Sequence, residues 1–581
     1  MNRHQTDQTN RDDTMTERKD NRLVGLLKRQ LADGKMDRRQ FLRMATTVGV
    51  SLAAARTMAG FVSPALAQSG ELPFPPADPA AVKGGVLRIA QRVAKMDDPA
   101  LYNWNDGANQ SRPITEHLVL IDRDNIARPM LLESWETSDD LKTWTLHVRR
   151  GVMWHNGEEL TADHVAFNIL RWSDSRLGSS NIGLSTFSAL TVETGETDDK
   201  GKAVRIPAEN AVEVLDSHTL RLNMSRPVLS LPQDCAEYPT QVIHPSFTAP
   251  FSAAPIGTGA YTLAELVVGE RCILKRVTQT TDGGEFKYWG GEVYLDEVHY
   301  YNFDQDNQPV ALASGSVDAI YELTSDQLEL ARSFDNVVID SVPTAQTLCC
   351  RMQNTVAPFD DIRVRQAVVK AADNAAIQAL IFPEGGVPAY NFHVAPIHPE
   401  YFDLPPLQRD VEGARALLAE AGHPDGISLT IDVGNTDGPW HQAVCEALRD
   451  QLAEAGITLA VNVLPTTRFW EIWTETPFGA TSWAHRPLGT MTLGLAYRSG
   501  VPWNESRFSN AEFDAALSDA EATLDVDARR AKMEKVQKIL QDNAVMVQPL
   551  WRPVYSLASS KVRGYQAHPS RQFHVNRVWM E

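Results

Sequence analysis

The sequence predicts an α/β protein of two or three domains, and three observations carry that expectation. The chain has 581 residues, more than one simple hydrophobic core accommodates. Hydrophobic residues make up 43% and charged residues 22%, the balance of a globular chain. Strand-like and helix-like segments alternate, punctuated by Gly, Asn and Asp.

Residues 130–172 (MLLESWETSDDLKTWTLHVRRGVMWHNGEELTADHVAFNILRW) contain all of these parts. Trp144, Leu146 and Val148 alternate with Thr145, His147 and Arg149, the period of a half-buried strand. Gly151 and Asn156-Gly157 supply turns around a short apolar piece, 152–154. Thr161 stands where a helix N-cap belongs, with Val165, Ile169 and Trp172 following on one face.

The amino terminus reads as a targeting segment. Residues 1–35 are polar and charged, and Met15 and Met36 are alternative starts. Arg38, Arg39, Phe41 and Leu42 form a twin-arginine export motif. A weakly apolar run (44–62) follows, and Ala65-Leu66-Ala67 matches a small-x-small cleavage site, so 1–67 is expected to be removed. Arg56 interrupts the run, against a membrane span. No Cys marks the cleavage point, against a lipid anchor.

The formal charge is −19, and beyond residue 67 it is −24. Such a surface repels nucleic acid and anionic membrane, which excludes both as partners, and the acidity serves solubility. All five cysteines (235, 272, 349, 350, 445) follow the leader. An odd count leaves one unpaired, and a bridge between adjacent Cys349 and Cys350 would be strained, so buried free thiols are expected. No Cys/His spacing suits a structural metal, and no cofactor is expected.

Further along, 68–83 is a Pro-rich extended leader and 84–90 a first strand. The loop 97–112 holds two exposed-looking aromatics, Tyr102 and Trp104, and 191–202 is strongly polar and loop-like. Strands are expected at 212–215, 219–223, 348–354 and 545–557. Asp361 caps a helix, and helices are expected at 411–421, 442–455, 512–524 and 526–540, the first two ending at Gly422 and Gly456. Gly257-Thr258-Gly259 is a weak nucleotide signal, since no third glycine or helix follows.

Several of these stretches resemble one family. E-S-W-E, D-x-K-T-W-T-L-H-V-R-x-G-V and H-N-G-E-x-L-T-A-D-x-V-x-F are very like extracellular solute-binding protein family 5, the dipeptide-, oligopeptide- and nickel-binding proteins of ABC importers. Residues 255–263 (PIGTGAYTL), 287–298, 311–320 and 348–373 match further motifs in the family's order. The resemblance implies a two-lobed periplasmic binding protein fold of the large, three-part peptide-binding type, with a hinged ligand cleft. It implies lobe I from 84–115, 251–345 and 551–581, an inserted subdomain at 116–250, and lobe II at 346–550.

The same resemblance points to ligand-binding residues. Trp104 lies in a loop that lines the cleft in relatives; edge packing is its alternative role. Cys350, Met352 and Asn354 lie where relatives offer a cleft-lining strand, and Asn435-Thr436 matches a similar pair. Trp440, Trp470 and Trp473 are candidate stacking surfaces. Relatives hold a peptide ammonium with a carboxylate three residues after a Trp; here Trp483-Ala484-His485-Arg486 puts a guanidinium there. A buried ammonium beside it would cost several kcal/mol. Arg486, aided by His485, either receives an anionic or carbonyl-rich ligand part or pairs with a neighbouring acid and ties the loop down. Ala484 replaces a Cys that forms a disulfide in some relatives.

No catalytic constellation is present: G-x-S-x-G, H-E-x-x-H, S-x-x-K and the P-loop are all missing. The expectation is a non-enzymatic, monomeric periplasmic receptor without stable membrane insertion. It would close on a peptide or a peptide-like or anionic small solute and deliver it to ABC permease and ATPase subunits. The alternatives are a receptor for a metal chelate or a sugar- or opine-like conjugate, and an exported hydrolase or signalling receptor on the same fold.

Overall fold

The structure, a computed structural model, describes residues 73–581 except 75–76, 103 and 199–202. Arg38, Arg39, Phe41, Leu42 and the cleavage site at Ala67 lie outside the described residues.

A twelve-stranded mixed sheet forms the spine. Along its main path the order is Tyr261–Val267, Arg271–Arg276, Glu297–Asn302, Val86–Gln91, Ala319–Ile320, Leu550–Ser559, Val337–Met352, Phe478–Trp483, Ile427–Val433 and Ile457–Val463. Two long strands, Leu550–Ser559 and Val337–Met352, form its middle and pair antiparallel from Val337↔Ser559 to Thr347↔Trp551. A register shift between Pro343 and Gln346 bends this pair, as expected where proline interrupts a ladder.

The buried apolar residues form separate clusters on the two sides of this pair. One side gathers Leu87, Ile89, Tyr261, Leu274, Val298 and Tyr300. The other gathers Leu348, Val364, Val368, Leu429, Ile431, Val444 and Leu448. A third cluster belongs to an antiparallel sheet of Leu132–Thr137, Thr143–Val148, Thr219–Asn223 and Val212–Asp216. In it Trp144, Leu146 and Val148 point inward as their alternation predicts, against Val165, Ile169 and Trp172 of the helix Ala162–Trp172. Thr161 caps that helix, with His164 completing a capping box.

The helices at Ile362–Ala371, Val411–Glu420, Trp440–Ala453, Ala511–Glu521 and Val526–Asp542 stand where the sequence places them. Gly422 and Gly456 take φ of +93° and +82°, the left-handed turn that ends the second and third of these. Three elements differ. The stretch 97–112, expected as a loop with two exposed aromatics, carries the helix Asn105–Ser111, and of its aromatics Tyr102 is buried while Trp104 is exposed. The polar stretch expected as a loop forms a ribbon, Thr191–Thr197 with Ala203–Pro207. The strand expected at 348–354 begins eleven residues earlier, at Val337. Gly257 and Gly259 make no nucleotide loop. They let the backbone pass against Pro113 and Ile114: a Cβ on Gly257 would lie 1.9 Å from the Ile114 carbonyl oxygen. All five cysteines are buried and free.

Candidate functional site

Where the long strand pair joins the two sides of the sheet, charged side chains converge from both. Asp437 sits on the turn after Ile427–Val433, Glu322 follows Ala319–Ile320, Arg552 lies within Leu550–Ser559, and Arg571 comes from near the carboxyl terminus. Asp437 Oδ2 accepts from Arg552 Nη1 at 3.1 Å and Asp437 Oδ1 from Arg571 Nη1 at 3.2 Å. Glu322 pairs with both arginines, at 2.8 Å with Arg571. Two carboxylates thus balance two guanidiniums in a nearly dry joint, the condition under which buried charges are tolerated. Burial, with the like charge of Arg571, pulls Arg552 down to about 9, which still leaves it charged at neutral pH. Trp104, partly exposed, lies 5.0 Å from the Arg571 guanidinium in a cation–π contact.

A second set of contacts joins the turn between Val119–Ile121 and Ala127–Pro129 to the loop after Phe478–Trp483. Asn125 Nδ2 donates to the Pro487 carbonyl at 2.8 Å. His485 Nδ1 accepts from Ala345 N at 3.0 Å, so its proton sits on Nε2 and is given to Asn125 Oδ1 at 3.1 Å. Burial, then the charges of His398, His568 and Arg486, hold His485 well below the usual imidazole range. It is neutral and gives Arg486 no added charge. Arg486 Nη1 meets Glu237 Oε1 at 3.5 Å, and both side chains are mostly buried. Burial raises the Glu237 carboxyl, and Arg486 opposes that rise.

The residues singled out from the sequence divide accordingly. Trp104, His485 and Arg486 lie at the joint, Arg486 already paired with an acid. Trp483 is buried, donates to Glu505 Oε1 at 2.8 Å, and stacks edge-on with His393 and Trp503. Asn435, at φ +44°, uses its side chain on Gln442, while Thr436 beside it is half-buried next to Asp437. The expectation that Cys350 and Met352 line the cleft fails for their side chains. Both are fully buried in the apolar core on one face of Val337–Met352. On the opposite face Cys349 approaches His393 and Tyr497, and Arg351 donates to Glu505 Oε2 at 2.9 Å. Asn354, just past the strand, has its backbone N–H on Ser506 O and a buried Oδ1 without a partner. Trp440 is buried beneath Arg552, whereas Trp470 is largely exposed.

Asn125, Glu237, Glu322, Asp437, Arg552 and Arg571 were not singled out. For Glu322 and Arg552 a signal existed: a charge inside an apolar run, YEL and LWRPV, is rarely buried without a partner. For Asp437, Glu237 and Arg571, on loops, no local pattern announces the partner.

Glu158, His164 and His244 bring their ligand-type atoms within 4.8 Å of one another. His164 Nδ1 accepts from Trp154 Nε1, and His244 Nδ1 accepts from Ser246 N. Both rings therefore carry their proton on Nε2, and His244 donates it to Glu158 Oε2 at 2.9 Å. His244 and Glu158 form a hydrogen-bonded pair beside His164, and the Nδ1 lone pair of each ring is already engaged.

A sheet shared by two apolar cores, with paired charges and aromatics at the joint, defines a two-lobed cleft-binding protein. Comparison with known proteins agrees. Residues 127–500, nearly two thirds of the chain, match the bacterial extracellular solute-binding proteins, family 5. The chain belongs to that family. It is 24% identical over 498 residues to the periplasmic oligopeptide-binding protein OppA of Salmonella typhimurium, covering 80% of this chain and 86% of that one. It is 23% identical over 520 residues to the glutathione-binding protein GsiB of Salmonella choleraesuis, covering 85% and 94%. The periplasmic binding protein DppA of Helicobacter pylori, solved with the peptide STSA, superposes with a TM-score of 0.68 at 22% identity, covering 86% of this chain and 99% of that one. Family members are binding proteins rather than enzymes. Among the described residues no helix is long and apolar enough to cross a membrane.

Proposed function

We propose that this protein is the periplasmic receptor of an ABC importer, closing two lobes on a peptide or peptide-like small solute and presenting it to permease and ATPase subunits. The observation that carries the reading is the joint itself. One strand pair ties both lobes together, while Asp437 and Arg486 reach across to Arg552, Arg571 and Glu237 through contacts that can part and re-form. The oligopeptide- and glutathione-binding relatives support a peptide-like cargo. In this reading lobe I comprises 84–115, 251–345 and 551–581 with the insertion 116–250, and lobe II 346–550. The motif Arg38-Arg39-Gln40-Phe41-Leu42 supports export by the twin-arginine route.

Native mass spectrometry of the protein released gently from the periplasm tests the reading. Bound masses matching short peptides or one discrete solute are expected. Protein that leaves the periplasm empty and binds nothing from a mixed peptide pool overturns it.

A further inference from the structure

Next to the segment that carries Arg571 lies a cation with no anion. Arg112 ends the helix Asn105–Ser111, its N–H bonded to Ala108 O at 2.8 Å, and is 4% exposed. Its Nε, Nη1 and Nη2 are buried and make no hydrogen bond to the protein. Burial brings the guanidinium down to about 10, and the only groups opposing that are the phenols Tyr300 and Tyr321; no carboxylate contributes. A buried arginine normally places its donors on carboxylates or carbonyls, because a charge left unpaired costs several kcal/mol.

The groups around it are also left open. His117 Nε2, His574 Nε2 and Tyr321 Oη are buried and without partners. His117, His568 and His574 are each depressed, by burial first and by the Arg112 charge in addition. The segment bearing His574 is fixed to the Arg112 helix by Asn109, whose Nδ2 donates to Arg571 O at 3.0 Å and whose Oδ1 accepts from Phe573 N at 3.2 Å. Pro113 and Ile114 are clamped by the close passage of Gly257 and Gly259, so the arginine is held rigidly. The surroundings also lead to the cleft. His574 meets His568 edge-on at 5.8 Å and Tyr321 meets Phe573 edge-on at 5.7 Å, two residues from the Arg571 that binds Glu322 at the charged joint.

We infer that Arg112, with His117, His574 and Tyr321 beside it, is the seat for a compact oxyanion, a carboxylate or a phosphate, carried by the solute on which the cleft closes. The inference rests on the solute-receptor reading and narrows its cargo. A planar guanidinium meets such a group with two parallel hydrogen bonds, and the open imidazole and phenol groups complete its coordination. With Arg486 already beside Glu237, Arg112 is the cation left open to the anion.

The test uses the mature protein as wild type, Arg112→Met and Arg112→Lys. Isothermal titration compares two pairs of twins, Ala-Glu with Ala-Gln and Ala-phosphoserine with Ala-Ser, which separates carboxylate from phosphate. At least one acidic member should bind the wild type tenfold or more tightly than its neutral twin, a gap that Arg112→Met removes and Arg112→Lys partly keeps. In the ligand-free proteins, Arg112→Met should raise the thermal midpoint, because it removes an unpaired buried charge. Equal binding of the twins by the wild type, a gap that survives in Arg112→Met, or a lowered midpoint would each overturn the inference while leaving the receptor reading standing. Failure of the wild type to bind any of the four or a mixed peptide pool would overturn the receptor reading, and the inference with it.

Discussion

Asp437 Oδ1 lies 3.2 Å from Arg571 Nη1, a carboxylate from the turn after Ile427–Val433 meeting a guanidinium ten residues from the carboxyl terminus. The pair spans the joint between the two cores, and its strength bears on how readily they part. Replacing Asp437 by Asn leaves Arg552 and Arg571 sharing Glu322 alone. Breaking a fully buried pair costs about 3–5 kcal/mol, and the partial exposure of Asp437 reduces this to about 2 kcal/mol. Urea unfolding should show that loss, and small-angle scattering of the ligand-free variant should show a larger radius of gyration.

The Arg486–Glu237 contact should appear as coupling rather than as a simple loss. Arg486→Ala leaves a buried carboxylate without its cation; adding Glu237→Gln removes that penalty. The double variant should be more stable than the sum of the single effects by about 1 kcal/mol. Additive denaturation midpoints would mean that the two side chains do not interact.

Acid should destabilise the protein before its carboxylates titrate. Burial brings His393 to about 3, His441 to about 4 and His568 to about 4, against about 6.5 in the unfolded chain. Below pH 6.5 the unfolded state takes up protons that the folded state refuses, so stability falls as pH falls, by up to about 2 kcal/mol per histidine by pH 5. Glu116, raised by burial to about 7, works in the opposite sense: its folded form keeps a proton that the unfolded chain has lost above its ordinary value. Among the described residues burial holds down nine histidines and raises five carboxylates, so the histidines prevail and the urea midpoint should drop between pH 6.5 and 5. Replacing His568 by Gln should flatten that drop.

Gly257→Ala should be among the most damaging small substitutions. The new methyl would stand 1.9 Å from the Ile114 carbonyl oxygen, and backbone lies on both sides of the contact. A loss of more than about 3 kcal/mol in thermal or urea unfolding is expected, the range of severe overpacking.

The helices and the inserted sheet were legible because each has one wet face. Val165, Ile169 and Trp172, or Trp144, Leu146 and Val148, declare their inner side by period alone. The ribbon at 191–207 was missed because its first strand is exposed after Thr191, its second is mostly half-buried, and neither alternates between a wet and a dry face. The facing of Cys350 and Met352 was missed for the converse reason. Residues 344–352 of the long strand are buried throughout, so nothing in LCCRM distinguishes core from cleft. Of the residues the family resemblance singles out, Trp104, His485 and Arg486 stand at the joint. Its charge pairs join residues far apart in sequence, such as Glu322 with Arg552, and no local pattern encodes such a partnership.

The central strand pair also sets an order of events in the life of the chain. Ala319 pairs with Ala558, and Val337–Thr347 is flanked by Trp551–Ser559, so the middle of the sheet waits for a strand made long after its partners. Val86–Gln91 can join Glu297–Asn302 and Ala319–Ile320 earlier, but what it forms is half a sheet with an open edge. Pairings across such long separations form slowly. A chain that stops before Leu550–Ser559 therefore holds an unfinished edge, and the arrival of that strand and the segment after it both seals the edge and brings Arg552 and Arg571 to their acids. Completion of the fold and completion of the binding joint are one step.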